Sequence, residues 1–533
     1  MMRKARLRVL VAAVLPLSLA TVALLPPAPA SAEKSALTAS PVVVTDKGAV
    51  RGTSAGAVES FLGIRYAAPP VDALRWAPPQ PAAPWTGVRS AEQYGNRCPA
   101  LASTNGPRSE TEDCLFINVQ RPAGAKAGDR LPVYVFIHGG GLTNGSSNQM
   151  NMDKIVRETG VIGVSFNYRL GVLGFLGHPT LTAEAGESGN YGFLDQQAAL
   201  RWVQRNIAAF GGNPSRVTIG GESAGGWSVC AHLVAPGSRR LFSRAMIQSG
   251  SCFTQSQAEA EASGGAFAAD LGCTDPATAV ACLRAASPAA LLDASTTFSS
   301  RIVRGTPTLP VDPREAVRTG RFDRVPLVIG ANRDEGRTFT QGMIGWTQAQ
   351  YTAFVGATFG GNADAVLAQY PWPANSDQFT AAYLAGAIFT DAGLAAGIGG
   401  CPNRALIRDF ARYTRTYAYE FAHRTGPGLV DLGGYVWGAG HAAELAYLWP
   451  SFNNGTPIAP LFNAAERRLA REMVQYWGAF VEKGRPRVIG QTGWPRYSHT
   501  GSVLSLRAGG QSVVITDATY VAEHNCTFWD TAF

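Results

Sequence analysis

Val217-Thr218-Ile219-Gly220 runs directly into Gly221-Glu222-Ser223-Ala224-Gly225, an apolar stretch followed at once by G-x-S-x-G. In a chain with 60 glycines among 533 residues the five-residue pattern alone decides little. Its setting decides more. The run Val217–Ile219 suits a strand buried on both faces, and Trp227 to Leu233 suits a helix. A sharp turn from strand to helix needs small residues two positions either side of its serine, because any side chain there would strike its neighbour. Gly221 and Gly225 meet that need, and Ala224 is small. The competing interpretation, a glycine-rich turn with a structural serine, explains the glycines but not the flanking elements.

Working outward, other apolar runs share the character of Val217–Ile219: Val133–Ile137, Val161–Phe166, Ala245–Ile247 and Pro326–Ile329. Between the second and third in chain order, Leu200, Val203, Ile207 and Phe210 recur at spacings of three and four, one face of a helix, which Gly211-Gly212 ends. Asn463 to Lys483 forms another helix, with the stripe Leu469, Met473, Trp477 and Phe480 and a stop at Gly484. Strands alternating with helices predict an α/β fold, a large and mostly parallel doubly wound sheet. The glycine-broken strands Val42–Val44, Ala49–Gly52 and Phe61–Ile64 predict a small N-terminal antiparallel sheet. Ala-rich helical stretches at 255–300 and 345–410 interrupt the strand rhythm and read as capping insertions.

Pro132-Val133-Tyr134-Val135-Phe136-Ile137 leads into His138-Gly139-Gly140-Gly141. Acyl transfer passes through a tetrahedral oxyanion, and amides aimed at it supply much of the catalysis. A triple glycine at a strand end, upstream of an elbow, lets main-chain amides turn inward. His138 itself reads as structural. A serine hydroxyl needs a base, and imidazole titrates in the right range. The seven histidines are 138, 178, 232, 423, 441, 499 and 524. In this kind of elbow fold the order is serine, acid, histidine, which leaves the last four. His441 is preferred, because its small neighbours in Gly438-Ala439-Gly440-His441-Ala442-Ala443 let an imidazole reach a cleft. For the acid, Asn332-Arg333-Asp334-Glu335-Gly336 follows a strand run, and Asp334 and Glu335 are equal by chemistry.

The chain begins with Arg3, Lys4, Arg6 and Arg8, an apolar run Val9 to Leu25, and Ala30-Ser31-Ala32. A basic start, an apolar middle and an A-x-A end predict a secretory signal peptide over 1–32 and one domain over 33–533. The apolar run is short for a membrane span of about 20 residues. Removing the signal leaves 42 basic against 38 acidic side chains, a net +4 with no long basic run, which gives no nucleic-acid footprint. Eight cysteines in an exported chain predict disulfides, and their spacing does not suit zinc.

Together these segments resemble the type-B carboxylesterase family, which includes the cholinesterases, some fungal lipases and the non-catalytic neuroligins. The resemblance rests on Phe61-Leu62-Gly63-Ile64-Arg65-Tyr66-Ala67, Glu112-Asp113-Cys114-Leu115, the glycines at 138–141, Asn167-Tyr168-Arg169-Leu170-Gly171, Gly212-Asn213-Pro214, the elbow, and Gln248-Ser249-Gly250. It implies an α/β-hydrolase fold and hydrolysis of carboxylic esters with no cofactor or metal. It assigns a triad of Ser223, Glu335 and His441, and oxyanion donors at the amides of Gly140, Gly141 and Ala224. It places Glu222 beside the nucleophile and Ser249 near the acid. It implies disulfides Cys98–Cys114, Cys273–Cys282 and Cys401–Cys526, leaving Cys230 and Cys252 as a fourth bridge or as buried thiols, and a structural ion pair Arg75–Glu112.

The sequence also departs from the family pattern. Arg65 replaces the usual proline, Leu142 stands where an aromatic follows the glycines, and Gly220 stands where phenylalanine precedes the elbow. The last two substitutions predict a wider pocket near the scissile bond. The loop closed by Cys98 and Cys114 lacks the tryptophan that holds choline in cholinesterases and is too polar for a lipase lid. The expectation is therefore an exported esterase of small-molecule esters, without nucleic-acid partners or a stable membrane anchor. The alternatives are a lipase of longer-chain glycerides and a non-catalytic, neuroligin-like interaction protein.

Overall fold

The computed structural model describes residues 40–453, 457–498 and 501–532. The expected signal segment, residues 1–32, and His499 lie outside the described residues.

Among the described residues, eleven strands form the main sheet: β1 (Thr53–Ala55), β2 (Val58–Arg65), β3 (Phe116–Pro122), β4 (Leu131–Ile137), β5 (Ile162–Phe166), β6 (Gly212–Glu222), β7 (Arg244–Gln248), β8 (Leu327–Asn332), β9 (Thr416–Phe421), β10 (Val503–Leu506) and β11 (Val513–Ile515). Their spatial order is β11-β10-β9-β8-β7-β6-β4-β5-β3-β2-β1. Every pair from β5 through β4 and β6 to β10 is parallel, and the strands at both edges turn antiparallel.

The central strands are buried on both faces because their side chains alternate between two cores. Val133, Val135 and Ile137 of β4 join one core, and Tyr134 and Phe136 join the other. The first core also takes Leu200 and Val203 of helix α1 (Tyr191–Asn206) and Val229 and Leu233 of helix α2 (Ala224–Val234). The second takes Leu469, Met473, Trp477 and Phe480 of helix α3 (Ala464–Lys483). Helices thus cover both faces, as a doubly wound sheet requires.

Local chemistry sets the helix ends. Asn463 accepts bonds from the amides of Ala465 and Glu466, Glu466 reaches back to the Asn463 amide, and Gly484 closes α3 in a left-handed turn at φ 66°. The periodic stripe through Phe210 continues past α1 as a tighter 3-10 turn, Ile207–Phe210, which Gly211 ends at φ 93°. The capping stretches hold helices Gln257–Asp270, Ala279–Ala285 and Pro288–Ala294, then Gln348–Phe359, Ala363–Gln369, Thr380–Ala392 and Gly400–Ala411.

The small sheet is mixed rather than antiparallel. Val42–Val44 pairs antiparallel with Ala49–Arg51, but Val88–Ser90 joins the latter in parallel. A short turn dictates the first pairing. The third strand returns after a long excursion, so no hairpin fixes its direction. Strand β3 did not read as a strand because Asn118, Gln120 and Arg121 break its apolar run. They are nonetheless buried, and Asn118 bonds Ser147, the Ser165 hydroxyl and the Gly63 amide.

Candidate active site

Ser223 sits between the end of β6 and the first residue of α2, at φ 58° and ψ −124°. A non-glycine residue at positive φ is strained and is held only by its surroundings. Here they hold it tightly. A Cβ on Gly221 would lie 2.4 Å from the Gly225 carbonyl, and one on Gly225 would lie 2.1 Å from the Ile137 carbonyl oxygen. The Ser223 amide donates to the Gln248 carbonyl at 2.9 Å. The elbow therefore points the hydroxyl away from the sheet.

Three distant stretches meet there. His441 Nε2 lies 2.9 Å from Ser223 Oγ, and Nδ1 lies 2.6 Å from Glu335 Oε2. Glu335 begins a 3-10 turn just past β8, and its other oxygen accepts the Asn332 amide at 2.7 Å. The His441 amide donates to the Glu335 carbonyl at 3.3 Å. Asp334, the equal candidate by chemistry, faces elsewhere. It pairs with Arg424 at 2.7 Å and accepts the Ala439 amide at 3.0 Å. The remaining described candidates for the base are also engaged elsewhere: His423 with Glu466, and His524 between Asp391 and Glu420.

Gly140 and Gly141 turn at φ 106° and 64°, and the Gly140 carbonyl accepts the amides of Thr143 and Asn144. That turn consumes the Gly140 carbonyl, and Gly139, Gly140 and Gly141 line the same cavity as Ser223. Ala224, the first residue of α2, contributes a first-turn amide with no carbonyl a turn behind it. His138 is fully buried, stacks on Tyr168 with ring centroids 4.4 Å apart, and is pushed down to about 4 by burial. It is therefore neutral and structural.

Three buried carboxylates surround the imidazole. Glu222 Oε1 lies 3.3 Å from His441 Nε2. Glu444 is held by Asn332 Nδ2 at 2.7 Å and Gln248 Nε2 at 3.3 Å. Burial raises Glu444 to about 7, with Glu335 adding to the rise. Burial likewise raises Glu222 well above the ordinary carboxylate range. For His441, burial opposes the charged form, but Glu222 and Glu335 outweigh it and lift the imidazole to about 9. Neither Asn332 nor Glu444 stood out in the sequence, although Glu444 follows His441 by three residues. Ser249 is fully buried close by, but its hydroxyl makes no hydrogen bond to Glu335.

The serine and imidazole open into a cavity of about 390 Å³. Trp227, Phe339, Ile398, Leu445 and Phe452 supply its apolar wall, with Asn105, Asn144 and Gln149 as amides. Phe339 tilts against the imidazole at 4.9 Å. Leu142 and Gly220 do not widen this cavity as expected. Leu142 is fully buried in the core, and the space beside Gly220 is filled by the Tyr134 hydroxyl, 2.5 Å from where a Cβ would stand. Arg65 replaces proline without loss of order, because it pairs with Asp113 at 2.5 Å and lies over the Phe116 ring. Arg75 and Glu112 form a buried pair at 2.5 Å.

All eight cysteines are bridged, as Cys98–Cys114, Cys273–Cys282, Cys401–Cys526 and Cys230–Cys252. The last pair ties α2 to the segment after β7. Among the described residues no helix is long and apolar enough to cross a membrane.

An elbow of this kind on a sheet of this order defines an α/β-hydrolase. The Carboxylesterase family profile matches residues 39–529, and the chain belongs to that family. Fumonisin B1 esterase of Sphingopyxis macrogoltabida is 34% identical over 486 residues, covering 87% of this chain and 85% of the relative. Cocaine esterase of Oryctolagus cuniculus is 35% identical over 514 residues, covering 88% and 92%. The solved structure of a thermophylic PNB esterase superimposes with a TM-score of 0.76 at 28% identity, covering 91% of this chain and 99% of its own. The protein is a carboxylic ester hydrolase.

Proposed function

We propose that the protein is an exported serine carboxylesterase that works through Ser223, His441 and Glu335. The observation that carries this reading is the continuous line from the Ser223 hydroxyl through both ring nitrogens of His441 to Glu335, at 2.9 and 2.6 Å, at the base of a cavity. Ser223 attacks the ester carbonyl while His441 takes its proton. The amides of Gly140, Gly141 and Ala224 stabilise the oxyanion. Glu335 fixes the tautomer and balances the imidazolium. His441 then protonates the leaving alcohol, and the same imidazole activates water to release the acid.

Ser223→Ala should lower kcat on nitrophenyl acetate by about 10⁵-fold. A variant retaining more than a tenth of the parental rate would refute the assignment. The polar loop at 98–114 speaks against a lipase, and no rate jump is expected on emulsified long-chain triglyceride. Four disulfides fit an oxidising compartment. Residues 1–32 act as the signal and 33–533 as the mature domain. N-terminal sequencing of enzyme recovered from the culture medium should begin near Glu33, and enzyme that stays intracellular with Met1 in place would contradict export.

A further inference from the structure

The disulfide loop 98–114 ends in a tight tip. Ser103 and Gly106 exchange backbone hydrogen bonds, amide to carbonyl, at 2.9 and 3.0 Å, and the Asn105 amide donates to the Ser103 hydroxyl at 3.1 Å. Thr104 and Asn105 on this tip line the catalytic cavity. Leu101, Ala102 and Ser103, on the segment leading into it, line a second cavity of about 170 Å³ with Val172, Leu292 and Phe298. Thr143 and Asn144 belong to both walls. The barrier between the two spaces is thus the loop tip set against the turn after the glycines. One side-chain bond closes it, from Asn105 Nδ2 to Asn144 Oδ1 at 2.7 Å. Arg97 holds the Asn105 carbonyl from below, so the tip is seated by its backbone while its amide side chain makes the seal.

We propose that the Asn105–Asn144 bond is a specificity partition, and that the second cavity is a subsite for the far end of esters bearing an unbranched apolar chain too long for the main cavity. This rests on Ser223 being the nucleophile. Leu101, Val172, Leu292 and Phe298 give the second cavity an apolar wall for such a chain; the uncharged Ser103, Thr143, Asn144, Ser295 and Thr296 also line it, and no charged group joins them. With the partition shut, the enzyme favours short esters. Opening it joins the two spaces without altering Ser223, His441 or Glu335.

Two variants test the partition. Asn105→Ala removes the seal. Ala102→Trp fills the second cavity from a position that does not line the first. Each variant and the parent are assayed for kcat/KM on nitrophenyl esters from acetate to palmitate, which lengthen the acid, and on alkyl acetates from ethyl to dodecyl, which lengthen the alcohol. Each methylene moved from water to an apolar wall is worth about fourfold. Asn105→Ala should therefore raise the dodecyl-to-ethyl or laurate-to-acetate ratio about tenfold in one series, and that series identifies which half of the ester enters. Adding Ala102→Trp to Asn105→Ala should return the ratio to the parental value, while acetate turnover by Ala102→Trp alone stays within about twofold of the parent. Ratios unchanged in both series for Asn105→Ala, or a raised ratio that survives Ala102→Trp, would overturn the partition. Failure of the parent to hydrolyse nitrophenyl acetate in a Ser223-dependent way would instead overturn the serine reading beneath it.

Discussion

Two imidazoles in this molecule look alike by burial and charge. His441 lies between Glu335 and Glu222, and His524 lies between Asp391 and Glu420 at 2.9 and 2.8 Å. Both are buried, and burial opposes their charged forms. Donating to Asp391 and to Glu420 lifts His524 to about 10 against the opposing effect of burial, as the acids around His441 lift it to about 9. The difference is on one ring nitrogen. His441 Nε2 meets a strained serine hydroxyl and a cavity. Both nitrogens of His524 are spent on acids beside the Cys401–Cys526 bridge, where a proton has nowhere to go. A perturbed imidazole marks a catalytic centre only when one nitrogen is free to exchange its proton with a reacting group.

The two imidazoles should differ most in their effect on turnover. His441→Ala should lower kcat by about 10⁵-fold with folding intact, as steady-state rates and a melting curve would show. His524→Gln should keep kcat within a few-fold but lose about 3–5 kcal/mol of stability, read by denaturant melting, because two buried carboxylates lose their cation. An inactive but fully stable His524→Gln would reverse the roles assigned here. Next in size, Glu335→Gln should lower kcat by about 10³-fold, since the amide no longer balances the imidazolium or fixes its tautomer.

Smaller effects concern pH. The folded pKa of His524 is raised above its unfolded value of about 6.5, so its stabilisation is complete below that value and is lost as pH rises through about 10. Melting temperature should therefore fall across that window, and less steeply in His524→Gln. With His441 as the proposed base, catalysis needs the neutral imidazole, so kcat/KM should rise with pH as it loses its proton. Glu222→Gln removes the largest charge that raises His441. It should move that limb to lower pH by about one unit, as a pH–rate profile would record. A limb that stays put would mean that Glu222 does not set the base.

Much of this contrast was legible in the sequence. The elbow, the glycine turn and the parallel strands could be read because each follows from a local rule: small residues where the backbone crowds, and apolar runs where both faces are buried. On residue chemistry alone the acid remained open between Asp334 and Glu335, and only the family resemblance distinguished them. The structure adds the reason, since the 3-10 turn at Glu335 faces His441 while Asp334 is drawn to Arg424. Strand β3 and the carboxylate Glu444 stayed hidden for a shared reason. Each buries polar groups that are satisfied only by partners far away in the chain, as Asn118 is by Ser147 and Ser165, and Glu444 by Asn332 and Gln248. The wider pocket read from Leu142 and Gly220 failed likewise, because Tyr134 fills from a neighbouring strand the space that Gly220 vacates.

Covalent labelling with a fluorophosphonate, followed by peptide mass mapping, reads out whether Ser223 is a nucleophile activated by His441. One phosphonyl adduct is expected, on the peptide carrying Ser223, formed at the parental rate in His524→Gln and about 10³-fold or more slowly in His441→Ala. An adduct on another residue, or labelling of Ser223 that proceeds equally well without His441, would contradict it.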